Sequence, residues 1–182
     1  MKKLLLILSG ISLVISGSLA QAVPLITVAD VGGALHTVDA TTGTVTVLGN
    51  TGIVMADIAY DPTGQLYGIS ENKLYRIDTT SAVTIASPQL IGTMGIDPWS
   101  LVFGSDGTLY AATSQLYSIS TTNGAASLIG SGGYGYGAGA IPGFTGDLAF
   151  IGGQLYLTSP RVDFDALIAY EDLITINPAN GQ

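Results

Sequence analysis

His36 is the single histidine among 182 residues, and there is no cysteine. Thiolate nucleophiles, disulfides and cysteine metal sites are therefore excluded, and zinc loses its usual ligands. A histidine acting as acid, base or ligand needs a partner placed beside it. His36 instead stands where comparable segments carry Tyr75 and Tyr117, so an aromatic-type packing role is expected. Gly130-Ser-Gly-Gly-Tyr-Gly135 has the GxGxxG form, but Tyr134, Tyr136 and further glycines follow it. A dinucleotide needs a helix N-terminus there, so this stretch reads as a loop. No nucleophile elbow, HExxH or P-loop occurs.

Carboxylates are the remaining reactive groups. Asp163, Asp165, Glu171 and Asp172 crowd the segment from Arg161 to Asp172 and are weak calcium candidates. Calcium takes six to eight oxygens, and this spacing lacks the alternating ligands closed by a distal glutamate. A solvated acidic loop is the favoured reading, and no other cofactor is implied. Asp61-Pro-Thr-Gly64 and Ser105-Asp-Gly107 read as tight turns in which aspartate bonds its own backbone.

The elements that position these residues come from a repeat. Asp57-Ile-Ala-Tyr60 recurs as Ser100-Leu-Val-Phe103 and Asp147-Leu-Ala-Phe150, each followed by a turn and then by Leu66-Tyr67, Leu109-Tyr110 or Leu155-Tyr156. A second pair, Leu74-Tyr75 or Leu116-Tyr117, leads to Ile77-Asp78 or Ile119-Ser120, and a last run ends in Ile91-Gly92 or Ile129-Gly130. Matching positions lie 43 residues apart between the first two full copies, and 46 or 47 apart between the next two. Within each run side chains alternate with period two, the mark of a strand with two faces. Four short strands per unit of this length, joined by Gly/Asp/Pro turns, predict antiparallel blades of a β-propeller. The expected class is all-β: a partial blade at 25–49, blades at 53–92 and 96–130, and a partial blade at 141–182. Three and a half blades make an incomplete ring or an open arc. Either the chain is a fragment of a longer protein, the favoured expectation, or bare edges invite edge-to-edge self-association.

The phrase Leu-Tyr-Gly, then Leu-Tyr-x-Ile-Asp, then Ile-Gly resembles the blade repeat of exported bacterial propeller proteins, many of them uncharacterised and some carrying a C-terminal Pro-Glu-Pro sorting tag. The resemblance covers Leu25 to Gln182 and implies the architecture. The tag motif itself does not occur here.

Met1–Ala22 reads as a secretory signal peptide, taken as helical: Lys2 and Lys3, an apolar run from Leu4 to Ile15, and Ala20-Gln21-Ala22 before the cut. A secreted or periplasmic protein with no membrane span after cleavage is expected. The mature part keeps three basic side chains, Lys73, Arg76 and Arg161, against thirteen acidic ones. Such a surface repels phosphate, so nucleic acid and anionic lipid are poor partners.

In a propeller the loops before the innermost strands gather at one mouth. Here they are 50–56, 93–99 and 131–146, with Met55, Met94, the only tryptophan Trp99, Tyr134, Tyr136 and Phe144, followed by Asp57 and Asp147. Aromatic and methionine side chains beside carboxylates suit a peptide, glycan or protein ligand. The expected function is a non-catalytic binding or scaffold module. The alternative is part of a propeller-fold hydrolase or lyase with some catalytic residues in further blades.

Overall fold

The protein was analysed as a computed structural model that describes residues 24–79, 88–130, 146–163 and 168–182; the side chains of 160–171 are outside that description. The segment expected to be a signal helix, 1–22, also lies outside the described residues.

Among the described residues fourteen strands form four antiparallel sheets, each a meander in chain order. The first holds β1 (Leu25–Ala29), β2 (Ala34–Asp39) and β3 (Val45–Asn50). The second holds β4 (Asp57–Tyr60), β5 (Leu66–Ser70), β6 (Lys73–Ile77) and β7 (Gln89–Thr93). The third holds β8 (Ser100–Phe103), β9 (Leu109–Ala112), β10 (Leu116–Ile119) and β11 (Ala126–Leu128). The fourth holds β12 (Leu148–Ile151), β13 (Gln154–Asp163) and β14 (Ile168–Ile176). The all-β, blade-by-blade architecture is the one the repeat predicts.

The meanders follow from turn chemistry. After the third strand of the blade repeat, at the ends of β2, β10 and β14, one turn recurs three times. Gly43, Gly124 and Gly181 each donate their amide to the carbonyl four residues back, at Asp39, Ser120 and Asn177, all at 2.8 Å. The side chain of that first residue accepts an amide two residues on, from Thr41, Thr122 or Ala179. A short polar side chain opens the turn and a glycine closes it.

Three apolar clusters hold the sheets face to face. Leu35, Met55, Leu66, Tyr75 and Ile77 join the first sheet to the second. Tyr67, Ile69, Leu74, Met94 and Leu101 join the second to the third, and Tyr110, Leu116, Leu148, Leu157 and Ile176 join the third to the fourth. Each junction of the later sheets repeats an aromatic pair: Tyr67 on Phe103 at 5.3 Å between ring centres, and Tyr110 on Phe150 at 5.8 Å. Burying each leucine of these clusters is worth about 2 kcal/mol. The Ile-Gly ending of the repeat has its own cause. A Cβ on Gly92 would run into the backbone carbonyl of Asn123, and one on Gly130 into that of Asn180. In the second and third sheets the chain at or just past the outer strand lies against a turn of the next sheet, and only glycine permits the approach.

One expectation is corrected. The segment from Arg161 to Asp172, expected as an inserted acidic loop, is mostly ladder. β13 and β14 pair without a break from Leu155↔Ile176 to Asp163↔Ile168. Val162, Ile168 and Tyr170 favour extended backbone, so the insertion lengthens a hairpin.

Candidate functional site

In the second and third sheets the start of the inner strand lies beside the turn joining the next two strands. Asp57 pairs with Ile69, and Ser70 pairs with Lys73 across the Glu71-Asn72 turn. Ser100 pairs with Ala112 at the matching place, and Leu148 with Leu157. Loops 50–56 and 93–99 and the Glu71-Asn72 turn therefore share one end of the molecule.

Asp57 opens β4 at this end. Its carboxylate accepts the amide of Ile58 at 2.7 Å and, across the junction of two sheets, the amide of Leu101 at 2.6 Å. Burial pushes its pKa up to about 7, the nearby charge of Asp147 adds to the rise, and the two amide bonds oppose it. Asp147 is raised as well by loss of water, against an amide bond from Leu148. Its own backbone is fixed by Thr158, whose hydroxyl accepts the Asp147 amide at 2.8 Å. Two carboxylates 90 residues apart in sequence thus share one electrostatic environment. Ser100, at the same point of the repeat, is fully buried, and its hydroxyl has no hydrogen-bond partner among the described residues.

Trp99 stands one residue before Ser100. Its side chain is 56% exposed although Pro98 and Ser100 on either side are buried. With Ala56, Glu71, Asp97 and Pro98 it lines a cavity of about 150 Å³, and Glu71 and Asp97 continue into a shallower depression with Asn72, Gly95 and Ile96. An exposed indole face beside carboxylates is a surface for apolar and cationic groups. Glu71 also contacts Lys73 at 3.3 Å. It has φ 51°, the left-handed region, and among the described residues no other non-glycine residue does so. Glu71 and Asp97 were not singled out from the sequence. The available signal was their place in the loops at the Trp99 end.

Other sequence candidates fall elsewhere. Met55 and Met94, expected at the mouth, are buried in two of the clusters between sheets and serve packing. Tyr134, Tyr136 and Phe144 lie outside the described residues. Of the calcium candidates, Asp165 lies outside the described residues, Asp163 ends β13, and Glu171 and Asp172 are consecutive on β14, opposite Pro160 and Ser159. Among the described residues no three His, Asp or Glu side chains group as metal ligands. His36 has a partner the sequence reading did not supply: its Nε2 lies 3.0 Å from a carboxylate oxygen of Asp30, six residues earlier. That bond is the main cause of the lowered Asp30 pKa. Asp30 also accepts the amides of Gly32 and Ala34, so the pair belongs to the β1–β2 turn.

The chain matches no protein-family model and no curated protein sequence. Solved structures do match in shape. A structural-genomics protein of unknown function from Bacteroides thetaiotaomicron superposes with a TM-score of 0.56 at 13% identity, over 81% of this chain and 44% of the other. A provisionally assigned gluconolactonase superposes with a TM-score of 0.50 at 17% identity, over 78% of this chain and 45% of the other. Virginiamycin B lyase from Staphylococcus aureus matches at 0.42 and 18% identity, over 82% of this chain and 51% of the other. This is a propeller-like fold. At these identities the likeness concerns fold alone, and the chain spans less than half the length of the first two.

Proposed function

We propose that the protein is an exported, non-catalytic binding module that holds its ligand at the Trp99 end. One observation carries the reading: a large indole left exposed between two buried neighbours, over a cavity it shares with Glu71 and Asp97. Packing alone would bury Trp99, as it buries Met55 and Met94 close by. The carboxylates and the acidic surface favour a ligand that pairs an apolar body with positive charge, such as a peptide segment bearing Lys or Arg. Trp99 is the only tryptophan, so its fluorescence reports on the site directly. A basic peptide is expected to shift Trp99 emission with saturation, and added salt to weaken the effect. A neutral oligosaccharide that does so in its place would replace the peptide by a glycan. No response to either would end the reading.

A second reading is favoured by Asp57. A carboxyl raised to about 7 beside another raised carboxyl is a pattern of acid–base sites. The alternative is accordingly part of a propeller-fold hydrolase or lyase, and one chain of similar fold is a provisionally assigned gluconolactonase. It ranks second because Asp57 already accepts two backbone amides as a clamp between sheets. Turnover of a sugar lactone that Asp57→Asn abolishes, with the fold intact, would reverse the order.

A further inference from the structure

The two end sheets each turn one face away from the rest of the molecule, and both faces carry exposed apolar side chains, beside His36 on the first and Thr158 and Thr175 on the fourth. Side chains alternate along a strand. On the fourth sheet Leu148, Leu155, Leu157 and Ile176 pack against the third, which leaves Ala149, Tyr156 and Leu173 on the opposite face. The matching residues of the second sheet, Ala59, Tyr67 and Leu74, face the third sheet and join its core. Leu74 is 0% exposed, whereas Leu173 is 63% exposed. On the first sheet Ala29, Leu35 and Leu48 pack against the second, so Ile26, Val28, Val45 and Val47 look outward. Ile26 holds the place of Leu66, yet it is 54% exposed where Leu66 is 1%.

These faces are opposite halves of one kind of contact. Each junction after the second sheet sets a tyrosine-and-leucine face, Tyr67 with Leu74 or Tyr110 with Leu116, against an apolar face of the following sheet. The fourth sheet carries a free copy of the first half, and the first sheet a free face of the second kind. Covering them needs a sheet of this same repeat on each side. We propose that a second copy of this chain covers both, the fourth sheet of each copy seated on the first sheet of the other. Two copies make a ring of eight sheets from the four in each. Propellers close with about four to eight blades. The two solved chains of similar fold are also about twice as long, since this chain covers 44% and 45% of them. A contact between two different faces closes with two copies only if the rotation between successive sheets fits a ring of eight.

The test is the mass in solution of the purified mature chain at micromolar concentration, by light scattering or sedimentation. Twice the chain mass is expected, favoured further by salt because both copies are acidic. Leu173→Glu and Ile26→Glu are each expected to give the single mass with the β-sheet circular dichroism and a cooperative melt retained. Mixing these two variants restores a dimer through the one junction both leave intact, which a like-to-like contact would not do. Leu90→Glu, at an exposed leucine on neither free face, keeps the double mass. A wild-type monomer, any other mass, or a dimer that survives both single changes overturns the proposal; a monomer would hand both faces to further blades of a longer chain.

Discussion

Asp57 and Asp61 stand at opposite ends of the second sheet's inner edge, four residues apart, and their carboxyls move in opposite directions. Asp61 accepts the amides of Thr63 and Gln65 and the hydroxyl of Thr63, all within 2.9 Å, and these bonds hold its pKa below the usual carboxylate range. Asp106 does the same for the next turn through Thr108. Asp57 accepts two amides as well, yet it is raised to about 7, because lost water and the charge of Asp147 outweigh them. Hydrogen bonds of similar length thus accompany opposite shifts, and solvation decides between them. Turn aspartates are bonded and wet. The mouth aspartate is bonded and partly dry, which makes its charge a strain on the fold.

That contrast can be broken by mutation. The largest effect is expected from Asp57→Asn. A carboxyl raised on folding binds its proton more tightly in the native state, so the contribution of Asp57 to stability falls as pH rises from about 4 to about 7 and is level above. The neutral amide removes the slope and stabilises the protein at pH 8 by about 2 kcal/mol, after allowance for the residue's partial exposure. Urea unfolding at pH 4, 6 and 8 measures both. Next comes Asp61→Ala, which removes the carboxylate oxygen that accepts three turn hydrogen bonds and costs about 1 kcal/mol at pH 7. The sign is reversed here: a lowered carboxyl stabilises above its unfolded pKa, so the cost fades in acid. A smaller effect is expected of Asp147→Asn, which takes a negative charge from beside Asp57 and moves the Asp57 midpoint down toward the ordinary range. The carboxyl signal of Asp57 in a carbon-detected NMR titration reads it. An unmoved midpoint would mean that the two mouth carboxyls do not interact. Smallest is Ser100→Ala: a buried hydroxyl without a partner loses no bond, and the change is expected within about 0.5 kcal/mol by the same unfolding assay.

Much of the fold was legible in the sequence. Period-two alternation and Gly/Asp/Pro turns are written in adjacent residues, so the strands of 25–49, 57–93 and 100–130 could be read directly. The hairpin of β13 and β14 was read as a loop because its charged residues masked an extended pattern. His36 was read as packing alone because its partner, Asp30, sits in a turn whose geometry brings a side chain back over six residues. At the site, the sequence placed Asp57, Trp99 and Asp147 in one region without telling which side chains stay wet.

Composition and the repeat by themselves determined strands, turns, the order of the sheets and the acidity of the surface, since each depends on near neighbours or on a simple sum. Only the tertiary structure decided that Trp99 stands open while Met94, five residues before it, is buried, and that Asp57 holds its proton near neutrality. The reason is one of distance along the chain. At Asp57 the opposing amide comes from a strand 44 residues on and the charge repulsion from a carboxylate 90 residues on, and burial itself arises only when the sheets pack.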